Sequence, residues 1–206
     1  MHLKTFRDSN NKKRIIGLTG SIATGKTTVS NYLAEKYGLP VFDADILARE
    51  AVAVGSPILE KFASRYPDIL LADGSLNRPK LGSIIFNNSD ERRWVESQIH
   101  PYVRQRFVEA ISNTSHPTIV LAIPLLFEAQ MTDLVTEIWV VYCNPETQIK
   151  RLMQRDNLSQ EQAETRIKSQ MSLEEKCNLA TLILDNSTTQ KNLQKQIDKT
   201  LKTQPK

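Results

Sequence analysis

The chain has 206 residues, with 27 Lys+Arg against 23 Asp+Glu, 40% hydrophobic residues, seven glycines and two cysteines. At about 100–200 residues per domain, this is one domain or one domain with a small appendage, long enough to bury a core without disulfides or a structural metal. The apolar content is too high for a disordered chain. The longest nearly unbroken apolar run, Thr118 to Phe127, falls well short of the roughly 20 residues a spanning helix needs.

Cys143 and Cys177 lie far apart and form neither a disulfide framework nor a zinc motif. The opening MHLKTFRDSNNKKR is polar and lacks the apolar stretch of a secretion signal. A cytoplasmic protein with no membrane partner is therefore expected. The net charge is +4, which raises the question of nucleic acid. Residues 1–14 and 191–206 each carry that excess, so the interior is net acidic. No basic stripe with interleaved aromatics runs through the middle, and no nucleic-acid partner is expected. The ends read as solvated, with a polar basic arm over residues 1–13 and a single folded domain over 14–206. A monomer or weak oligomer is expected.

In chain order, Arg14–Thr19 (RIIGLT) is a short β-branched run. Residues 25–37 read as a helix with Val29, Leu33 and Tyr37 on one stripe and Gly38 after its end. Pro40–Asp43 is a second strand, and residues 46–54 a helix stopped by Gly55-Ser56-Pro57. Asp73-Gly74 marks a turn. Helices follow around 80–86 and over 90–111, the latter broken at His100-Pro101. Thr118–Ile123 and Glu137–Cys143 are continuous apolar runs typical of strands covered on both faces.

Asn144-Pro145 supplies a cap and a first-turn proline for a helix to about Arg155. Ser159/Gln162 and Ser172/Glu175 have capping-box spacing. Thr181–Leu184 is a last strand, and Leu193, Ile197 and Leu201 form a stripe on a C-terminal helix over about 189–202. Alternating strands and helices predict an α/β fold with a mainly parallel sheet flanked by helices.

The segment Gly20-Ser21-Ile22-Ala23-Thr24-Gly25-Lys26-Thr27-Thr28 matches G-x-x-x-x-G-K-[ST] between a predicted strand and a predicted helix. A triphosphate needs many donors close together, and backbone N–H groups supply them when a loop curls around it. Gly20 and Gly25 permit the curl, and the helix start aims N–H groups and a partial positive charge at the anion. Lys26 is placed to neutralise the β- and γ-phosphate oxygens, the Thr27 hydroxyl to bind Mg²⁺, and Thr28 to donate to the α-phosphate. ATP and Mg²⁺ are the expected cofactors.

Asp43-Ala44-Asp45 ends the second strand, the edge at which ligands bind in open α/β sheets. A carboxylate there can accept the proton of an attacking hydroxyl. Alternation points Asp43 and Asp45 the same way unless the helix begins between them. The competing reading makes one of them a helix cap. Arg49, one turn after Asp45, serves an anionic substrate or an ion pair. Trp94 and Trp139 read as core aromatics, and the two cysteines as inert.

The set GLTGSIATGKTT, FDADILAR, DGSLNRPKLGSIIF, HP, PLLFE and QIKRLMQRD, in this order, resembles dephospho-coenzyme A kinase from about Ile15 to about Asn186. The resemblance implies a P-loop kinase fold with a helical substrate-binding insertion, about 44–115, and a lid, about 156–171. It implies ATP-dependent phosphorylation of the ribose 3′-hydroxyl of dephospho-coenzyme A, the last step of coenzyme A synthesis. It makes Asp45 the catalytic carboxylate, with Asp43 as the alternative, and Arg49 a substrate-side residue. It sets Arg155 near the transferring phosphate, where an arginine would neutralise transition-state charge, with Arg151 and Arg166 as weaker candidates.

Two features depart from the pattern. Ala122 stands where the family usually has an aspartate, two residues before Pro124, and the polar arm extends beyond the family's usual start. Pro124–Glu128 reads either as a wall of the acceptor pocket or as core packing. A P-loop kinase for nucleoside monophosphates or other small alcohols would share the loop but not the DADILAR and PLLFE set. A GTPase switch would show N-K-x-D, which is missing.

Overall fold

The computed structural model describes residues 13–202. Nearly all of the expected N-terminal arm (residues 1–12) and the last four residues of the basic C-terminal end lie outside the described residues. In chain order the elements are β1 (Arg14–Gly20), α1 (Lys26–Tyr37), β2 (Val41–Asp43), α2 (Ala44–Ala51), α3 (Pro57–Arg65), α4 (Arg78–Asn87) and α5 (Ser89–Asn113). After these come β3 (Thr118–Ala122), β4 (Glu137–Tyr142), α6 (Pro145–Asp156), α7 (Gln160–Lys168), α8 (Leu173–Asn178), β5 (Leu182–Asp185) and α9 (Gln190–Lys202). They divide into two compact units, one holding the chain up to Phe42 and from Thr114 onward, the other Asp43–Asn113.

The first unit is built on a five-stranded sheet ordered β2-β3-β1-β4-β5. β1 runs parallel to both β3 and β4, and β4 parallel to β5. The three central strands are the continuous apolar runs of the sequence, because a parallel strand covered by helices on both faces has no polar side. Ile16, Leu18, Val120, Trp139, Val141 and Leu184 from the sheet pack with Val29 and Leu33 of α1 and Leu193 and Ile197 of α9. The register brings Gly20 beside Val141 and Tyr142 beside Asp185, so β1, β4 and β5 end at one edge.

α1 ends as the sequence indicates, with Gly38 at φ 62° donating its backbone N–H to the Ala34 and Leu33 carbonyls. α9 is fastened to α1 by one carboxylate. Asp198 accepts from Tyr32 Oη at 2.8 Å, Tyr37 Oη at 2.6 Å and Lys36 Nζ at 2.8 Å. These bonds, led by the lysine, hold Asp198 down at about 2.

The second unit packs α2 to α5 around Val52, Leu59, Phe62, Tyr66, Ile69, Leu76, Leu81 and Val95. Three expectations change here. The helix expected over 46–54 begins at Ala44 and ends at Ala51, because Asp43 caps it. Ser56-Pro57 does more than stop that helix. The Ser56 side chain accepts from the Leu59 N–H and starts α3, with proline in its first turn. The break expected at His100-Pro101 does not occur, and α5 runs through Pro101. Interior proline costs about 3 kcal/mol, but burial of Val95 on one side and Val103, Phe107 and Ile111 on the other exceeds that. Arg65 donates to Glu91 through two nitrogens, both at 2.8 Å, and stacks 4.5 Å over Trp94.

Candidate active site

The phosphate loop spans the end of β1 to the start of α1. Gly20 has no room for a side chain: a Cβ would lie 2.6 Å from Thr24 Oγ1 and 2.8 Å from the Val141 carbonyl. Gly25 caps α1 at φ 102°, and a Cβ there would lie 2.1 Å from Asn186 Nδ2. α1 has no side-chain cap, so its first turn offers N–H groups and the positive end of the helix dipole without an internal carboxylate or hydroxyl covering them. That arrangement fits an anion. Lys26 opens the helix, half-buried, followed by an exposed Thr27 and a half-buried Thr28.

A loop of amides binds an anion only if its carbonyl oxygens are held elsewhere, since they would repel it. Here three side chains engage them. The buried Thr24 hydroxyl donates to Ser21 O at 2.9 Å, Gln148 Nε2 to Ile22 O at 2.8 Å, and Asn186 Nδ2 to Thr24 O at 2.8 Å. Arg151 donates in turn to Asn186 O at 3.0 Å, so it stands behind the loop. Ala23 sits at φ 63°, a left-handed conformation unusual for a residue with a Cβ. The Ile22 N–H and the Ser21 hydroxyl both donate to Gln170 Oε1, at 3.0 and 3.2 Å. Gln148, Gln170 and Asn186 carry no motif signal of their own.

On the acceptor side, Asp43 and Asp45 differ. The helix begins between them, so strand alternation does not align them. Asp43 Oδ1 accepts the Asp45 N–H at 2.8 Å as the cap of α2, while Asp45 is exposed in the first turn. Arg49 lies exposed in the last turn of α2. Arg155 and Arg166 converge on one carboxylate: Arg155 donates to Asp156 at 2.8 and 3.1 Å and Arg166 at 2.8 Å. These bonds, the Arg155 one first, hold Asp156 below the usual carboxylate range.

Pro124–Glu128 is part packing, part tether. Leu126 is buried, while Glu128 pairs with Lys176 at 2.9 Å and accepts the Met171 N–H at 3.1 Å. Ala122 is buried at the end of β3. Among the described residues no group of three His, Cys, Asp or Glu side chains could hold a metal. Burial raises both cysteine thiols, and Trp139 is a core residue. No helix among the described residues is long and apolar enough to cross a membrane.

The profile of the dephospho-CoA kinase family matches residues 14–192. The chain is 63% identical over 187 residues to the dephospho-CoA kinase of Trichormus variabilis, covering 90% of this chain and 95% of that protein. Among solved structures, TT1252 from Thermus thermophilus superposes with a TM-score of 0.80 at 31% identity, covering 94% of this chain and 99% of that one. A dephospho-CoA kinase from Campylobacter jejuni superposes with a TM-score of 0.67 at 30% identity, covering 91% and 95%. Similarity of that breadth means that the chain belongs to the dephospho-CoA kinase family.

Proposed function

We propose that the chain transfers the γ-phosphoryl group of ATP to the ribose 3′-hydroxyl of dephospho-coenzyme A, giving coenzyme A and ADP, in the cytoplasm. The observation that carries the donor half is the loop from Gly20 to Thr28, whose carbonyls are engaged by Thr24, Gln148 and Asn186. Family membership carries the acceptor half. The reading over a nucleoside monophosphate kinase is favoured by the same match.

In this reading Lys26 neutralises charge on the transferring group, and the loop from Gly20 to Thr28 binds the phosphates through amides other than that of Ile22, which Gln170 engages. Asp45 takes the proton of the attacking hydroxyl, because the side chain of Asp43 is engaged as the cap of α2. Arg49 binds the anionic substrate. Arg155 neutralises phosphoryl oxygens, with Arg166 brought beside it through Asp156. Magnesium supplies charge neutralisation and orientation of the phosphates when bound. Thr27 would be its protein ligand; with Ala122 at the end of β3, oxygens of the nucleotide and water would help hold it. Residues 44–115 provide the acceptor-binding region and 156–171 the lid.

The product decides the assignment. ³¹P NMR of the reaction should show a new phosphomonoester at the 3′ position of dephospho-coenzyme A. Phosphorylation elsewhere, or of no atom of that substrate, would overturn it.

A further inference from the structure

The backbone of Ile22 is held at both of its polar groups. Its carbonyl receives Gln148, which is 3% exposed, and its N–H goes to Gln170. Gln170 is not on a loose segment. The next residue, Met171, donates its N–H to Glu128, and Glu128 is paired with the fully buried Lys176. Lys176 also donates to Pro124 O at 3.0 Å, where the buried Thr19 hydroxyl donates at 3.1 Å. Thr19 leads through Gly20 back to Ser21 and Ile22. The bonds therefore close a ring: phosphate loop, Gln170-Met171, Glu128, Lys176, Pro124, Thr19, and the loop again.

Within that ring Gln170 supplies a neutral acceptor. A carboxylate there would satisfy the same donors but would repel a polyanion. A hydrocarbon would leave the Ile22 N–H unsatisfied in the nucleotide-free protein. We propose that Gln170 is a positioning residue for phosphoryl transfer, its amide oxygen fixing the Ile22 peptide at the entry of the phosphate loop and tying the segment after α7 to that loop. This rests on the reading of the loop as the ATP site. The bond persists when nucleotide binds, because the ring holds Gln170 in place; Gln170 is not a stand-in that a phosphate oxygen displaces.

The test compares wild type with Gln170→Met, which keeps length and shape and removes the strong acceptor. Binding of a non-hydrolysable ATP analogue with Mg²⁺ is measured by calorimetry, without acceptor. At least a tenfold rise in Kd is expected, with kcat reduced and KM for dephospho-coenzyme A within threefold. A Kd within twofold of wild type, or a tighter one, overturns the proposal; a merely structural role would lower Tm alone. Should the variant not fold, amide hydrogen exchange at Ile22 in the wild-type protein decides. Slow exchange both without and with the analogue is expected. Fast exchange without nucleotide, or protection that appears only with it, overturns the proposal. Wild-type ADP production is recorded in parallel, so that failure of the proposed activity shows separately.

Discussion

Asn186 reaches across 162 positions of sequence to hold Thr24: its side-chain amide donates to the Thr24 carbonyl at 2.8 Å, both groups buried. The same nitrogen fills the space that a side chain at Gly25 would need. Gly25 and Asn186 are thus a matched pair. Gly25→Ala adds strain of about 1–3 kcal/mol at a positive φ and displaces Asn186 from a buried hydrogen bond worth about 1 kcal/mol. Lower stability in urea and loss of ATP binding are expected. Asn186→Ala in the Gly25→Ala background relieves the collision, so the double variant should be more stable than the two single effects added together. Strict additivity would show that the two residues are not coupled.

The two aspartates of FDAD should separate by phenotype. Asp45→Asn is expected to lower kcat by about 10²–10⁴-fold, the range for removal of a general base, with ATP affinity unchanged. Asp43→Ala removes the cap of α2 and should cost about 1 kcal/mol of stability. Stopped-flow kinetics and urea melts on both variants check this. The reverse pattern would make Asp43 the base.

Lys176 and Glu128 form an asymmetric pair, the lysine side chain 0% exposed and the glutamate 26%. Removing the carboxylate strands a buried ammonium, whereas removing the lysine leaves a carboxylate that can turn to water. Glu128→Gln should therefore destabilise more than Lys176→Met, towards the roughly 3–5 kcal/mol seen when a buried charge loses its partner. Chemical denaturation of both variants measures the order, and equal costs would contradict it.

Among the carboxylates held low, Asp198 and Glu91, one in each compact unit, contribute most to acid sensitivity. Asp198 is held at about 2 chiefly by Lys36, and Glu91 at about 2 chiefly by Arg65. A depressed folded value means that the stabilisation is complete above the unfolded value and fades as the pH falls. Stability should be flat above about pH 5 and decline between there and pH 2. Asp198→Asn and Glu91→Gln should each shallow that decline in thermal melts across the range. An unchanged acid profile in both variants would contradict the linkage.

The elements most legible in the sequence are those whose causes are local. The loop motif, Asn144-Pro145 and both capping boxes act within a few residues, and each lies where its spacing indicates. The apolar runs of β1, β3 and β4 are legible because burial on both faces removes polar alternation. Continuation of α5 through Pro101 depends on packing from both flanks, which no local rule contains. Gln148 and Gln170 are 126 and 148 positions from Ile22. Each is an ordinary polar helix or turn residue until the sheet brings the ends of β1, β4 and β5 to one edge.

The most direct measurement is coupled ADP production by the full chain with MgATP and dephospho-coenzyme A, with adenosine and AMP as control acceptors. Saturable ADP release with dephospho-coenzyme A, silence with the controls, and silence of Lys26→Ala are expected. ADP release that needs no acceptor, prefers AMP, or survives in Lys26→Ala would contradict the assignment.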